Sequence, residues 1–117
     1  MNIIKFDLNE MKQKQDGFSC YILGRSYDLE ENGADQDYNQ AIKWYEEGIK
    51  LGHPLCIYSL GISYEMGLGE VLKKDTKKGE KLLKEAYPMI LQLLNSEDSE
   101  AEEKIFAKIV KVLTLFI

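Results

Sequence analysis

Residues Leu23-Gly24-Arg25-Ser26-Tyr27 return as Leu60-Gly61-Ile62-Ser63-Tyr64, 37 positions on, with Leu, Gly, Ser and Tyr kept. Downstream, the run from Asp37 to Trp44 aligns with the run from Asp75 to Leu82 at an offset of 38, so one residue has been inserted in the loop between. A repeat of this length restricts the fold sharply. Each copy is one supersecondary unit that cannot bury its apolar face alone, and stacking the copies makes the core continuous.

Each unit reads as two helices. In the first, a helix from Gly17 to Glu30 carries Phe18, Ile22, Leu23 and Leu29, with Gly24 where a facing helix can come close. A second helix, Tyr38 to Leu51, sets Ala41, Trp44, Tyr45, Gly48 and Ile49 at three- and four-residue steps and stops at Gly52. The equivalent helices of the second unit begin near Pro54, a residue suited to a first helical turn, and after Asp75. Asp37 and Asp75 stand where an N-cap is needed, and Gly and Asn between the helices mark chain reversals. Small residues at Ala41, Gly48, Gly79 and Ala86 allow close helix approach, with Trp44 and Leu82 expected to fill the volume between.

These residues resemble the Sel-one-like repeat family, relatives of the tetratricopeptide repeat. Unit one carries its Leu23, Gly24, Tyr27, Asp37, Ala41, Trp44, Tyr45 and Gly52; unit two carries Leu60, Gly61, Tyr64, Gly67, Gly69, Val71, Asp75, Lys78 and Ala86. Unit one departs from the family's Gly-x-Gly loop, and Gly79 and Leu82 replace the usual Ala and Trp. The resemblance implies an all-α fold, a short right-handed α-solenoid (α-α superhelix) of two helix–turn–helix repeats, acting as an adaptor or scaffold. The expected organisation is one domain, with 1–16 as an N-terminal capping segment, 17–52 and 53–95 as the units, and 96–117 as a C-terminal capping helix.

Two units cannot hide both outer faces, so the ends must cap the stack. Residues 7–15 read as a short polar helix with Leu8 and Met11 inward. Pro88 should kink or restart the last helix of unit two, because it removes an intrahelical hydrogen bond. After Ser96-Glu97-Asp98-Ser99 a final helix is expected, with acids at its start and Ile105, Phe106, Ile109, Val112, Leu113 and Phe116 giving a wide apolar face. That face is expected to pack as a cap, with Phe106, Leu113 and Phe116 as an apolar interface through which a homodimer could form.

In stacks of the family's kind the first helices line the inner, concave surface. Counting by helical steps, that surface should present Phe18, Tyr21, Arg25 and Asp28, then Leu55, Tyr58, Ile62 and Glu65, a groove suited to a peptide or protein segment. Packing between repeats explains the tyrosines equally well. The expected function is therefore a protein–protein interaction module. The alternative is a small acidic inhibitor or immunity-type protein neutralising a basic partner, and a hydrolase comes last.

Charge and motif content bear on the other classes. A net charge of −5 is unsuited to neutralising phosphates, so no nucleic-acid partner is expected. Residues 105–117 are too few, and carry Lys108 and Lys111, so no membrane partner is expected, and the start lacks a secretory pattern, so the chain is read as cytoplasmic. Cys20 and Cys56 are read as reduced thiols, and the one histidine, His53, as a turn residue. With no zinc-ligand spacing, phosphate loop or Ser-x2-Lys motif, no catalytic, metal-binding or cofactor-binding residue is assigned, and no cofactor is expected.

Overall fold

The helix starts follow from side-chain caps. A computed structural model of the protein describes residues 5–114, with six helices: α1 (Leu8–Lys14), α2 (Gly17–Leu29), α3 (Tyr38–Lys50), α4 (Pro54–Met66), α5 (Thr76–Asn95) and α6 (Ala101–Thr114). Asp16 accepts from the Ser19 N–H at 2.7 Å, Asp37 from Gln40 and Asp75 from Lys78, both at 3.1 Å, satisfying donors that the first helical turn leaves free. At α4 the cap is His53, whose Nδ1 accepts from the Leu55 N–H, and Pro54 takes the first position. Gly52 and Gly67, at φ +76° and +75°, turn the chain after α3 and α4 in a region that side chains rarely enter.

The repeat is visible in the hydrogen bonds. The Asp37 N–H donates to the Tyr27 carbonyl at 2.9 Å, and the Asp75 N–H to the Tyr64 carbonyl at 2.8 Å, closing each helical hairpin at the same place. The repeated serine is buried in both units, and each hydroxyl donates four residues back, Ser26 to the Ile22 carbonyl and Ser63 to the Ser59 carbonyl. The loop of unit two holds a small bridge in which the Leu68 N–H donates to the Leu72 carbonyl at 2.9 Å.

α2 packs on α3, α4 on α5, and α3 on α4, while the two first helices, α2 and α4, lie side by side. The chain is thus an all-α helical repeat solenoid. α4 is buried over most of its length, with Leu55, Cys56, Ile57, Tyr58 and Leu60 all inside. Ala41, Gly48, Gly79 and Ala86 are buried as the spacing requires, and Tyr45 and Leu83, rather than the half-buried Trp44 and Leu82, sit at the centre of each hairpin. The reason is phase: Ala41, Tyr45 and Gly48 share one face at steps of four and three, as do Gly79, Leu83 and Ala86.

α1 lays Met11 into the core and Leu8 against it. α5 runs unbroken through Pro88, which stands exposed, so the expected restart of the helix does not occur. α6 also departs from expectation. Its inward side is Phe106, Ala107 and Val110, while Ile105, Ile109, Val112 and Leu113 are exposed. No helix among the described residues is long and apolar enough to cross a membrane.

Candidate functional site

The inner wall of the stack is made by α2 and α4, and the chain's own α6 lies across it. The Phe106 ring meets Tyr21 edge-on at 5.5 Å and Phe18 at 6.1 Å between centroids, and the Arg25 guanidinium stands 5.2 Å over the same ring. Phe6, from the segment before α1, closes the cluster at 5.9 Å from Phe18. Aromatic pairs at these separations add to the energy of burial, and a guanidinium over a ring adds a cation–π attraction. At the same end His53 Nε2 and Glu103 Oε1 are 2.7 Å apart, joining the cap of α4 to α6.

What stays open is a cleft of about 370 Å³ between α6 and the C-terminal halves of α2 and α4. Tyr21, Arg25, Asp28, Tyr58 and Ile62 come together here, so five of the eight residues expected on the inner surface share one cavity. The other three do not line it. Phe18 belongs to the aromatic cluster, Leu55 is fully buried, and Glu65 turns the other way, packing where α4 meets Gly79 of α5. Tyr21 itself is only 2% exposed, so it forms the floor and not the rim.

The rim is apolar and was not assigned from the sequence, except at Leu113. Leu29 is 53% exposed, Met66 74%, Ile109 48% and Leu113 51%, and all four border the cleft. Large apolar side chains left in water around a concavity are the usual mark of a binding surface. Leu29 and Met66 end α2 and α4, and their exposure before a chain reversal was the signal available. Phe106 faces inward, and Phe116 lies outside the described residues.

Arg25, Asp28 and the hydroxyls of Tyr21 and Tyr45 in the floor are already engaged. Arg25 donates from Nε to Glu31 Oε1 at 2.7 Å and from Nη2 to Oε2 at 3.2 Å, and from Nη1 to the Tyr21 hydroxyl at 3.3 Å. Burial works against the Arg25 charge, yet Glu31 and Tyr21 outweigh it and hold the guanidinium above its ordinary value. The Tyr45 hydroxyl donates to Asp28 Oδ2 at 3.1 Å. Burial pushes the Asp28 carboxyl up, with Tyr45 and Arg25 partly opposing, and the phenols of Tyr21, Tyr45 and Tyr58 are pushed up by burial as well. The floor is therefore a wall in which Arg25 is paired with Glu31 and Asp28 is hydrogen-bonded to Tyr45.

A second cavity, of about 490 Å³, opens between α1, the start of α2 and the start of α6. Asp7, Glu10, Asp16, Asp98, Glu100, Glu102 and Glu103 line it, against Lys5 and Lys14. Among the described residues no group of three His, Cys, Asp or Glu is placed to hold a metal ion. Cys20 and Cys56 are buried free thiols.

A comparison with curated proteins finds no match. The family model described as Sel1 repeat matches twice, over residues 17–53, which hold α2 and α3, and over residues 54–87, which hold α4 and the first part of α5. Sel1 repeats are generally protein–protein interaction modules. With both hairpins matched across more than half of its length, the chain belongs to the Sel1 repeat family.

Proposed function

We propose that this protein is an interaction module that seats an apolar segment of a partner protein in the cleft between α6 and the ends of α2 and α4. One observation carries the reading: Leu29, Met66, Ile109 and Leu113, about half or more exposed, ring a cavity floored by Tyr58 and Ile62. A segment with one or two large apolar side chains would bury these four from water. Each fully buried side chain of this size is worth about 1.5–3 kcal/mol. No catalytic step enters the reading.

The experiment is affinity capture of the partner, followed by binding measurements with the variant Leu29→Gln/Met66→Gln. Both positions are exposed, so the fold is retained, and affinity should fall roughly tenfold or more. Unchanged affinity in the folded variant rejects the cleft. Substituting Tyr21 would be a poor test, because it is buried against Phe106 and its loss would act through stability.

A second reading, capture of a basic partner by an acidic surface, is favoured by the seven carboxylates around the other cavity. Attraction of that kind is screened by salt, whereas apolar seating is not. Partner affinity falling steeply between low and high salt, and indifferent to Leu29→Gln/Met66→Gln, would favour the acidic surface over the cleft.

A further inference from the structure

Only two charged side chains, Arg25 and Asp28, line the cleft between α6 and the ends of α2 and α4. Glu31, which stands outside the lining, holds the Arg25 guanidinium through two contacts, at 2.7 and 3.2 Å, so that charge is already neutralised. Asp28 has no such counter-charge. Its Oδ2 accepts from the neutral Tyr45 hydroxyl at 3.1 Å, and among the described residues no lysine, arginine or histidine forms an ion pair with it. The wall thus carries one uncompensated negative charge, half-buried, where a partner segment would lie.

That carboxylate is a poor choice for stability alone. Burial disfavours its charged form more than Tyr45 and Arg25 favour it, and an asparagine would accept the same hydrogen bond without ionising. A charge held against the interest of the fold is accounted for when a ligand brings the missing cation. Tyr21, Tyr38, Tyr45 and Tyr58 share the lining with it. Aromatic rings attract a cation, and they let the methylenes of a long basic side chain leave water. We propose that the cleft takes a lysine or arginine side chain of the partner segment, its cationic head on Asp28 and its stem against the tyrosines, while apolar neighbours in the segment cover Leu29 and Met66. This specificity rests on the cleft being the seat of the partner, and adds to it the charge that a segment must carry. An acidic segment would set carboxylate against carboxylate and is refused.

Selection from a displayed library of random peptides, on the full chain, is the test. Peptides whose capture is lost with Leu29→Gln/Met66→Gln should be enriched in lysine or arginine beside large apolar residues. Changing the basic residue of such a peptide to glutamine should weaken its binding to the parent roughly tenfold or more, and Asp28→Asn should do the same to the unchanged peptide. Asp28→Asn keeps the bond from Tyr45, so the fold is retained, and the change in the peptide leaves the protein untouched. Made together, the two changes should lose no more than either alone, a coupling that a purely structural role of Asp28 would not produce. Rim-dependent peptides with no enrichment in basic residues, or losses that add, overturn the role of Asp28 and leave the cleft an apolar seat. If no selected peptide depends on Leu29 and Met66, the cleft is not the seat, and both readings fall.

Discussion

His53 joins two elements that are distant in sequence: its Nδ1 accepts from the Leu55 N–H at 3.3 Å and its Nε2 lies 2.7 Å from Glu103 Oε1. A ring with its single proton on Nε2 satisfies both contacts, capping α4 and holding α6 at once. The side chains are 10% and 14% exposed, so the bond is shielded from competing water. Removing the acceptor should cost about 1.5–3 kcal/mol, the range for a hydrogen bond to a charged group. Denaturant unfolding of Glu103→Ala measures this, and amide exchange should quicken in α6 before α2. His53→Ala should cost more, because the cap goes too. If the double variant loses the sum of the two singles, the bond contributes nothing and this account is wrong.

Gly24 and Gly61 are equivalent in the repeat but not in their surroundings. A Cβ at Gly24 would run into the Tyr45 ring, while at Gly61 it would meet Leu83 Cδ2 at 3.1 Å and Leu82 Cβ at 3.2 Å. A flat ring buried to 2% cannot yield, whereas at Gly61 the two leucines need to give way only slightly. Gly24→Ala should therefore lose about 1–3 kcal/mol by overpacking. Gly61→Ala should stay within about 1 kcal/mol of the parent, since alanine's helix propensity offsets the smaller strain. Urea midpoints of the two variants decide, and equal losses would sink the argument.

Much of this was legible in the residues. The 37-residue recurrence placed α2 to α5, and Asp37 and Asp75 marked the cap positions, because periodicity and capping are local properties. The face of α6 was not. Ile105 and Ile109 are the more hydrophobic choice, yet the inward side is Phe106, Ala107 and Val110. What selected it is tertiary: His53 awaits a carboxylate at 103, Phe6, Phe18 and Tyr21 await a ring at 106, and the small Ala107 lets the helix come close. None of these contacts has a signature in the local sequence. The candidate site was half legible for the same reason. Helical phase put Tyr21, Arg25, Asp28, Tyr58 and Ile62 on one wall, but only the position of α6 determines which part of that wall meets solvent.

The two thiols should react slowly and in order. Cys20 and Cys56 are 3% and 0% exposed, and burial pushes both thiols up, Cys56 the further. Thiolate is the reactive form, so the native chain should label with a disulfide reagent at least roughly a hundredfold slower than the unfolded chain. Cys20 should label before Cys56, read by mass spectrometry of the digested protein. Equal and rapid labelling of both would show that α4 is not the buried centre of the stack.

Asp28 gives the pH dependence its sign. Burial raises its carboxyl in the folded protein, and the hydrogen bond from Tyr45 and the charge of Arg25 lower it only in part. The folded chain thus holds this proton more tightly than the unfolded chain does. The stability it contributes is complete below the ordinary carboxylate value of 3.8 and is lost as pH rises through the raised folded value. In Asp28→Asn the amide oxygen still accepts from Tyr45 and nothing ionises. The variant should therefore gain on the parent in melting temperature as pH rises across the mildly acidic range, and the gap should level off toward neutrality. Tyr45→Phe removes the bond that favours the charged form, so it should steepen the parent's own loss over the same range. A parent that gains on Asp28→Asn as pH rises would show that pairing, and not burial, governs this carboxylate.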